Sequence, residues 1–381
     1  MAVTLSDVAR QAGVSQATAS RVLNGRRHVA VTTRLLVEAA ARDLDYIPNR
    51  AARDLSTSRT ATAALLVHHA QYPAHGEGTF SSRVVDGVSH ALRRAGYDLL
   101  YVPVDDSAVA RVAGLAAVRS GRSDGVLVLG PAFPTAALTA LQSSGRPMVT
   151  IDARLPGCDS VMAANRAAMV DLTRHLVIDH EYRRLACLAG PSRWPSTAER
   201  IAGIRAEARR IGAEVRVIHA RQTTMRDGVE CAARLIDESP DAILAVNDAM
   251  AIGAMHRLRS MDADRRPAIT GFDDIAWAQL TDPPLTTVSV DAEIMGAEAA
   301  RLLIDRIGSP DHHSLPAREV RVPATLRLRR RAAAATASVH PDGPIIRGGE
   351  AHHGELRTTA SVAAHDRPRQ HRAGGFRVHG R

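Results

Sequence analysis

The sequence predicts a small all-α headpiece containing a helix-turn-helix, followed by an α/β body of two doubly wound lobes with parallel sheets. Three observations lead to this fold class. The chain has 381 residues, more than one ordinary domain of roughly 100–200 residues. Its first 60 residues resemble short amphipathic helices. From residue 61, short aliphatic runs alternate with helical patterns in two series.

The headpiece is predicted from apolar spacing and from residues that begin or end helices. Apolar residues in 5–12 recur at i, i+3, i+4 and i+7, as one helical face requires. Gly13 can adopt the positive φ that ends a helix, and Ser15 is a good N-cap for a second helix over 16–23. A third helix is predicted over 32–44, before Pro48.

The body is predicted from strands that alternate with helices of 10–15 residues, a pattern typical of βαβ units and parallel sheets. We expect about nine or ten strands in two lobes, with a boundary near 155–165. The predicted strands are 63–68, 98–102, 125–129, 148–152, 185–189, 215–218, 242–246 and 268–272, and the predicted helices are 81–95, 107–120, 134–144, 166–179, 196–211, 226–238 and 248–260.

The formal charge of +9 is concentrated at the two ends of the chain. Residues 1–60 contain nine arginines against five acidic residues, whereas 61–326 are nearly neutral. A basic terminal segment on a neutral body indicates that the terminal segment binds an anionic polymer and that the body has a separate function. Residues 332–381 are rich in Ala, Gly, Arg and His without an apolar period, so we expect a disordered basic tail.

Several classes of protein are disfavoured. No run approaches 18 apolar residues and the N-terminus has no apolar signal region, so we expect a cytoplasmic protein without a membrane partner. Three widely spaced cysteines form neither a zinc pattern nor a disulfide framework. Because the sequence also lacks a phosphate loop and the motif order of a serine hydrolase, we expect no enzyme, cofactor or metal.

The second helix of the headpiece has suitable chemistry for reading DNA. A helix fits the major groove and presents its N-terminal side chains to base edges. Gln can pair with adenine, Arg with guanine, and Ala or Thr can touch a thymine methyl group. The alternative is a three-helix bundle that docks a protein. The predicted base-facing residues are Gln16, Ala17, Thr18, Ser20 and Arg21, and the residues placed to meet phosphates are Asn24, Arg26, Arg27 and His28.

The motifs taken together resemble the lac-repressor (LacI/GalR) family over about residues 3–330. The headpiece motifs are TLSDVARQAGVS at 4–15, TASRVLNG at 18–25 and YIPNRAARDL at 46–55; the body motifs are LAG at 188–190, AERIAG at 198–203, VNDAM at 246–250, GFDD at 271–274 and PPLTTV at 283–288. The resemblance implies a headpiece over 1–48, a hinge helix or linker over 49–60, and a periplasmic-binding-protein-like body over 61–331. It also implies that this body dimerises and binds an effector, and that the chain crosses back between lobes near 285–325.

The resemblance also implies roles for individual headpiece residues. In the hinge, Ala52 and Leu55 match a helix that folds on the operator and wedges leucine into the minor groove; the alternative for Leu55 is a linker residue packed on the body. Ala30 replaces the family's usual serine cap, although Thr32 or Thr33 could substitute, and Ala19 replaces its usual valine. The implied DNA-binding residues are Thr4, Ser15, Gln16, Ala17, Thr18, Ser20, Arg21, Asn24, His28, Asn49, Ala52 and Leu55.

Polar residues at the carboxyl ends of predicted strands indicate an effector pocket, because ligands of doubly wound sheets bind there. Asp152, Asn247 and Asp273 occupy such positions, with helix N-capping as the alternative role of each. Arg200 matches the family's effector-binding arginine; otherwise it is a solvated residue of a helix face. The aromatic candidates are Phe80, Tyr72, Trp194 and Trp277, whose alternative role is packing between lobes, and Thr223 stands where some relatives have an aromatic residue.

The resulting hypothesis is a sequence-specific transcriptional regulator, a repressor controlled by a sugar or related metabolite. We expect a homodimer on a pseudo-palindromic double-stranded DNA operator, because one headpiece buries too little surface for strong selectivity. The alternative is a soluble small-molecule-binding protein or an enzyme without a role on DNA.

Overall fold

The computed structural model describes residues 3–23, 29–46, 59–68, 79–105, 121–262 and 266–329. These residues form an all-α headpiece followed by two parallel-sheet lobes, which confirms the predicted fold class. None of the described helices is long and apolar enough to cross a membrane. The predicted helix 107–120, the tail 332–381 and the positions Asn24, Arg26, Arg27, His28, Asn49, Ala52, Leu55 and Tyr72 lie outside the described residues.

Three helices around a small aliphatic core make up the headpiece. They are α1 (Leu5–Gln11), α2 (Gln16–Leu23) and α3 (Val31–Asp43). The turn after α1 contains Gly13 at φ 64, and the amide of Thr18 donates to Ser15 Oγ at 3.2 Å. The predicted helix stop and N-cap of α2 are therefore confirmed. The core of the headpiece contains Val8, Ala9, Ala12, Ala19, Val22, Val37 and Ala40.

The start of α3 differs from the prediction. The helix begins at Val31, one residue before the predicted start, and its N-cap residue Ala30 makes no side-chain hydrogen bond. Thr32 and Thr33 lie inside the first turn, so neither takes the N-cap position that the sequence interpretation offered them. The first amides of α3 therefore lack the side-chain acceptor that a serine would supply.

Ala30→Ser is expected to stabilise the headpiece by about 1 kcal/mol, because the new hydroxyl can accept from an amide of the first turn of α3. Hydrogen exchange at the amides of 31–34 in the full chain measures the gain. Ala30→Val, which cannot cap a helix, is the matched control. Equal protection in the two variants would contradict the capping argument.

The elements of the first lobe are β1 (Thr62–His68), α4 (Phe80–Arg94), β2 (Asp98–Val104), β3 (Gly125–Leu129), α5 (Thr135–Gln142), β4 (Met148–Ile151), β5 (Asp159–Ala163), α10 (Ala292–Gly308) and β11 (Glu319–Val322). The strands form a six-stranded sheet in the order β11-β5-β4-β3-β1-β2, in which every adjacent pair is parallel.

Helix α10 packs closely against α4 at two glycines, Gly296 and Gly87. A Cβ on Gly87 would lie 2.0 Å from the Glu293 carbonyl oxygen, so no larger residue fits this contact.

The second lobe contains a parallel four-stranded sheet in the order β7-β6-β8-β9. An antiparallel pair, β10 and β12, continues beside β9 through the bridges of Thr270 with Thr286 and of Asp273 with Ser289. The elements are α6 (Asn165–Arg174) with a π-helical turn (His175–Asp179), β6 (Arg184–Ala189), α7 (Pro195–Ile211), β7 (Glu214–His219), α8 (Met225–Ala233), β8 (Ala242–Ala245), α9 (Asp248–Leu258), β9 (Ala268–Thr270), a 3₁₀ turn (Ala276–Gln279), β10 (Thr287–Val290) and β12 (Ala324–Arg327).

Within the described residues the chain passes between the lobes three times, at 163–165, 290–292 and 322–324. The sequence interpretation did not assign β5, β10, β11, β12 or α10. These strands have only four or five residues, and their positions depend on partners far away in the sequence. The carboxyl ends of both parallel sheets consequently border the space between the lobes, where the theory of doubly wound folds places ligands.

Candidate functional site

Helix α2 exposes three of the five side chains that the sequence assigned to base reading. Gln16, Ala17 and Arg21 are exposed, whereas Ala19 and Val22 on the opposite side are buried in the headpiece core. Thr18 and Ser20 are half-buried. Because one side of α2 packs in the headpiece core and the other is exposed, the helix can enter the major groove without disturbing its own packing.

The remaining described members of the predicted DNA-binding set also stabilise helix starts. Ser15 accepts the amide of Thr18, and the two hydroxyl oxygens lie 2.9 Å apart. Thr4 donates from its amide and its hydroxyl to the carboxylate of Asp7, at 3.0 and 2.7 Å. Both residues are exposed at the headpiece surface, so their capping role does not prevent contact with a phosphate.

A cavity of about 500 Å³ lies between the two lobes. Its volume falls within the roughly 300–1,000 Å³ of small-molecule pockets. All five predicted effector-binding residues line it. The lining residues are Thr79, Phe80, Ser81, Leu129, Pro131, Asp152, Trp194, Ser196, Thr197, Arg200, Thr223, Thr224, Met225, Arg226, Val246, Asn247, Ala249, Asp273 and Ile275.

Arg200 is a buried arginine of this cavity, and its guanidinium group contacts four other residues. It is only 7% exposed, so the alternative of a solvated arginine on a helix face is wrong. Its Nε donates to Asn165 Oδ1 at 2.8 Å, and Nη1 donates to the carbonyl oxygen of Val246. Nη2 lies 3.7 Å from Asp273 Oδ1, and the guanidinium carbon lies 3.6 Å from the ring centroid of Phe272. The guanidinium is therefore fixed in the cavity wall by contacts on several sides.

The two aspartates of the cavity have rare backbone conformations and raised pKa values. Asp152 has φ 56 and Asp273 has φ 108, in the left-handed half of the Ramachandran map that non-glycine residues rarely adopt. Burial raises the pKa of Asp152 to about 6, although Arg200 and the hydroxyl of Ser196, 3.2 Å away, oppose the shift. Burial likewise raises the pKa of Asp273 well above its ordinary value, against the charge of Arg200.

Asp152→Asn is expected to alter how stability depends on pH. A carboxyl whose pKa is raised from 3.8 to about 6 by folding stabilises the fold fully below 3.8 and loses that contribution as pH rises through 6. The variant cannot ionise, so its stability relative to the wild type should increase with pH across this window, by up to roughly 3 kcal/mol. Urea unfolding at a series of pH values measures the difference, with the exposed Asp86→Asn as control. A constant difference would contradict a buried titrating Asp152.

Asn247 serves the fold as well as the cavity. Its Oδ1 accepts the amide of Met250 at 2.9 Å, so it caps α9, and its Nδ2 donates to the carbonyl oxygen of Thr223 at 2.9 Å. The alternative of helix capping is therefore confirmed for this residue. Asp152 and Asp273 do not occupy the N-cap positions of the described helices; instead they face Ser196 and Arg200 respectively.

The aromatic candidates separate into two groups. Phe80 at the start of α4 and Trp194 just before α7 both line the cavity. Trp277 lies in the 3₁₀ turn, is 50% exposed and is not among the lining residues. The wall at Thr223 has no ring, so Trp194 and Phe80 supply the aromatic surface of this site.

The sequence interpretation missed two polar side chains that bind the predicted residues. Ser196 donates a hydrogen bond to Asp152 across the two lobes, and the available signal was its position at the start of the predicted helix 196–211. Asn165 is fully buried beside Arg200, and it follows β5, which the sequence did not reveal. Besides Ser196, the polar lining residues that were not predicted are Thr79, Ser81, Thr197, Thr224 and Arg226.

The adjacent residues Asp273 and Asp274 have different surroundings. Asp273 lines the cavity, whereas Asp274 pairs with Arg329 at 2.6 Å and is not among the lining residues. No three His, Cys, Asp or Glu residues among those described are grouped to hold a metal ion.

Comparisons with known proteins agree with this architecture. Residues 4–49 match the family model for bacterial regulatory proteins of the lacI family, and residues 173–332 match that of a periplasmic binding protein-like domain. The chain is 34% identical over 321 residues to the HTH-type transcriptional regulator CelR of Thermobifida fusca, covering 80% of this chain and 92% of that protein. It is 30% identical over 317 residues to the ribose operon repressor of Escherichia coli K12, covering 81% and 94%.

Solved structures show the same likeness. A CelR–cellobiose complex aligns with a TM-score of 0.63 at 30% identity, covering 86% of this chain and 99% of that one. A lac repressor dimer bound to operator and an anti-inducer aligns with a TM-score of 0.74 at 25% identity, covering 88% and 100%. The resemblance predicted from the sequence motifs is therefore confirmed.

Proposed function

The chain belongs to the LacI family of bacterial regulatory proteins, and from this we propose that it is a repressor whose binding to DNA is controlled by a neutral sugar in the interlobe cavity. One observation carries the proposal. The cavity joins Arg200 and Asp273 of one lobe to Asp152 of the other, in a chain whose headpiece exposes a reading helix.

The polar groups of the cavity suit a ligand with many hydroxyls. The carboxyl oxygens of Asp152 and Asp273 can accept hydrogen bonds from hydroxyl groups, while Arg200 can donate them. Phe80 and Trp194 provide flat apolar surface for the faces of sugar rings. Similar proteins are named for a ribose operon or crystallised with cellobiose, so cellobiose and ribose are the first probes to use.

A neutral ligand fits better than an anionic one. Burial disfavours the ionised forms of Asp152 and Asp273, and it would impose the same desolvation cost on the phosphate or carboxylate of an anionic ligand. The cation at the rim, Arg226, is exposed and pairs with Glu230 at 3.1 Å. We expect glucose 6-phosphate to bind much more weakly than an unphosphorylated sugar.

On DNA, the proposal is a homodimer that places two copies of α2 on a pseudo-palindromic operator in the cytoplasm. The structural neighbour that binds operator as a dimer supports this arrangement. Within the proposal, residues 49–60 serve as the hinge that orders on DNA, and Leu55 serves as its wedge.

Arg21→Ala is expected to weaken binding to the selected operator by about 1–3 kcal/mol and to relax selectivity at one base pair of each half-site. The reason is that the exposed guanidinium can pair with guanine. Competition binding to operator variants measures both effects. Arg42→Ala, on the exposed side of α3, is the control. An equal loss on random DNA would make Arg21 a phosphate contact.

Selection of DNA sites from a random pool, followed by gel shift, tests the function against its alternative. A regulator should select a two-fold symmetric site and release or retain it according to ligand. A sugar-binding protein without a role on DNA should select no site, and an enzyme should convert the bound sugar to product. We propose that neither of these alternatives applies.

A further inference from the structure

A single buried amide connects the cavity to the contacts between the lobes. Asn165 is the first residue of α6, directly after the chain leaves β5 for the second lobe. It is fully buried and does not line the cavity. Its Oδ1 accepts from Arg200 Nε at 2.8 Å, and its Nδ2 donates to Glu199 Oε2 at 3.4 Å.

Glu199 belongs to a group of four charged residues that spans the lobes, which we call the interlobe network: Arg154, Glu199, Glu319 and Arg321. Glu199 on α7 of the second lobe pairs with Arg154 at 2.7 Å and with Arg321 at 2.7 and 2.8 Å. Glu319 accepts from Arg154 at 2.8 and 3.0 Å and from Arg321 at 2.6 Å. The other three members lie in the first lobe, so the network joins the lobes through one carboxylate.

Neighbouring positions on α7 therefore have different tasks. Arg200 faces the cavity, while Glu199 faces the first lobe, and the amide of Asn165 touches both. A guanidinium is planar and its Nε carries a single hydrogen, so fixing that hydrogen bond fixes the direction of both terminal nitrogens. Without an acceptor at Asn165, Arg200 would keep a buried, unsatisfied donor and would rotate to find a partner.

The side chain of Asn165 has no role in capping its own helix. The N-cap residue of α6 is Ala164, and it makes no side-chain hydrogen bond. Both polar atoms of Asn165 instead bind side chains of α7. An apolar residue of similar size would be enough for packing between α6 and α7. The amide of Asn165 is therefore explained by its two hydrogen bonds rather than by packing.

We infer that Asn165 is a positioning residue, which orients the Arg200 guanidinium for the ligand and connects it to the interlobe network. Ligand binding and the contacts between the lobes are thereby coupled. The inference rests on the proposed function in one respect, that the ligand binds at Arg200.

The test compares Asn165→Leu, which removes both hydrogen bonds at similar size, with Asn165→Asp, which keeps the acceptor for Arg200. Thr173→Val is the matched control, because it removes another fully buried polar group from the same helix. Cellobiose is the probe in calorimetry of the full chain. We expect Asn165→Leu to weaken cellobiose binding about 10- to 100-fold, and Thr173→Val to leave it within about twofold.

A cycle with Arg200→Met, which has no hydrogen-bond donor, separates positioning from general loss of structure. If Asn165 acts through Arg200, Asn165→Leu should change cellobiose affinity little further once Arg200 is already methionine. Equal losses in both backgrounds, or a similar loss in Thr173→Val, would overturn the inference.

A second readout needs no ligand. In the free protein labelled with ¹⁵N-arginine, the Nε–H of Arg200, assigned by its absence in Arg200→Met, should exchange slowly in the wild type and Asn165→Asp and rapidly in Asn165→Leu. Unchanged slow exchange in Asn165→Leu would overturn the inference. If wild-type protein fails to bind cellobiose, the proposed ligand is wrong, while this exchange measurement still decides the role of Asn165.

Discussion

Replacing Arg200 with alanine is expected to abolish the response to ligand while leaving operator binding intact. The guanidinium is buried in the cavity wall, and its loss would leave Asp273 without its charged partner. An unpaired buried group of this kind costs on the order of 2 kcal/mol or more of ligand affinity. Asp273→Ala should have the same consequence, because it removes the other member of the pair.

Calorimetry with sugar and gel shift with operator, on the same preparations, check this prediction. Arg209→Ala, an exposed residue near the end of α7, is the matched control. If the sugar is an inducer, both cavity variants should repress permanently; if it is a corepressor, both should stay inactive. If both variants bound sugar as tightly as the wild type, the ligand would bind elsewhere. If they lost operator binding in the absence of ligand, Arg200 and Asp273 would be structural residues.

Asp159→Asn is expected to destabilise the fold by about 3–5 kcal/mol, the usual cost of removing one partner from a buried ion pair. The Asp159 side chain is fully buried in β5. Arg306 of α10 donates to it at 2.9 and 2.6 Å, and Arg318 donates from its amide at 2.8 Å and its Nη2 at 2.9 Å. This carboxylate therefore ties together β5, α10 and the start of β11, which lie far apart in the sequence.

The same site has a defined dependence on pH. Burial alone would raise the pKa of Asp159, but the hydrogen bonds from Arg306 and Arg318 outweigh it and hold the pKa below its ordinary value. A lowered pKa stabilises the fold above the unfolded-state value, and the contribution is lost as pH falls through the folded-state value.

Urea unfolding at neutral and acidic pH tests both statements. The destabilisation by Asp159→Asn should be large at neutral pH and smaller in acid. Asp305→Asn removes a carboxylate from an exposed pair with Arg318 and should cost less than about 1 kcal/mol. Equal effects of the two variants would contradict a special role for the buried pair.

The position of the site explains how a ligand could influence DNA binding. Asp152 of the first lobe accepts a hydrogen bond from Ser196 of the second, so the cavity is closed by groups from both lobes. A ligand shifts an equilibrium only by its differential affinity for the two states. A sugar that contacts Asp152 and Arg200 together would favour one arrangement of the lobes over others, and the headpieces of a dimer would respond to that arrangement.

Local signals made part of the architecture predictable. The bounds of α2 follow from Ser15 and the apolar spacing around it, and the alternation of strands and helices from 61 to 272 identified most of both sheets. By contrast, α3 begins at Val31 after an N-cap residue, Ala30, that has no capping side chain, and no local rule would choose this start. The short strands β10 and β12 depend on each other across more than 30 residues, so their sequences contain little local signal.

The site was predictable where strand ends or the family resemblance marked it. Asp152, Asn247 and Asp273 follow strands, and Arg200 was assigned through the resemblance alone. Asn165 could not be found in this way, because its role arises from contacts with α7 that only the folded lobes bring about. The unassigned β5 in front of it removed the one positional clue.

Control of DNA binding by the cavity is measured most directly as the operator affinity of the 381-residue chain with and without saturating cellobiose, alongside that of Arg200→Ala. Cellobiose is expected to change wild-type affinity for the selected operator by about 5- to 150-fold. Arg200→Ala should bind the same operator equally well under both conditions. If calorimetry shows cellobiose bound to the wild type while operator affinity stays the same, the cavity does not control DNA binding.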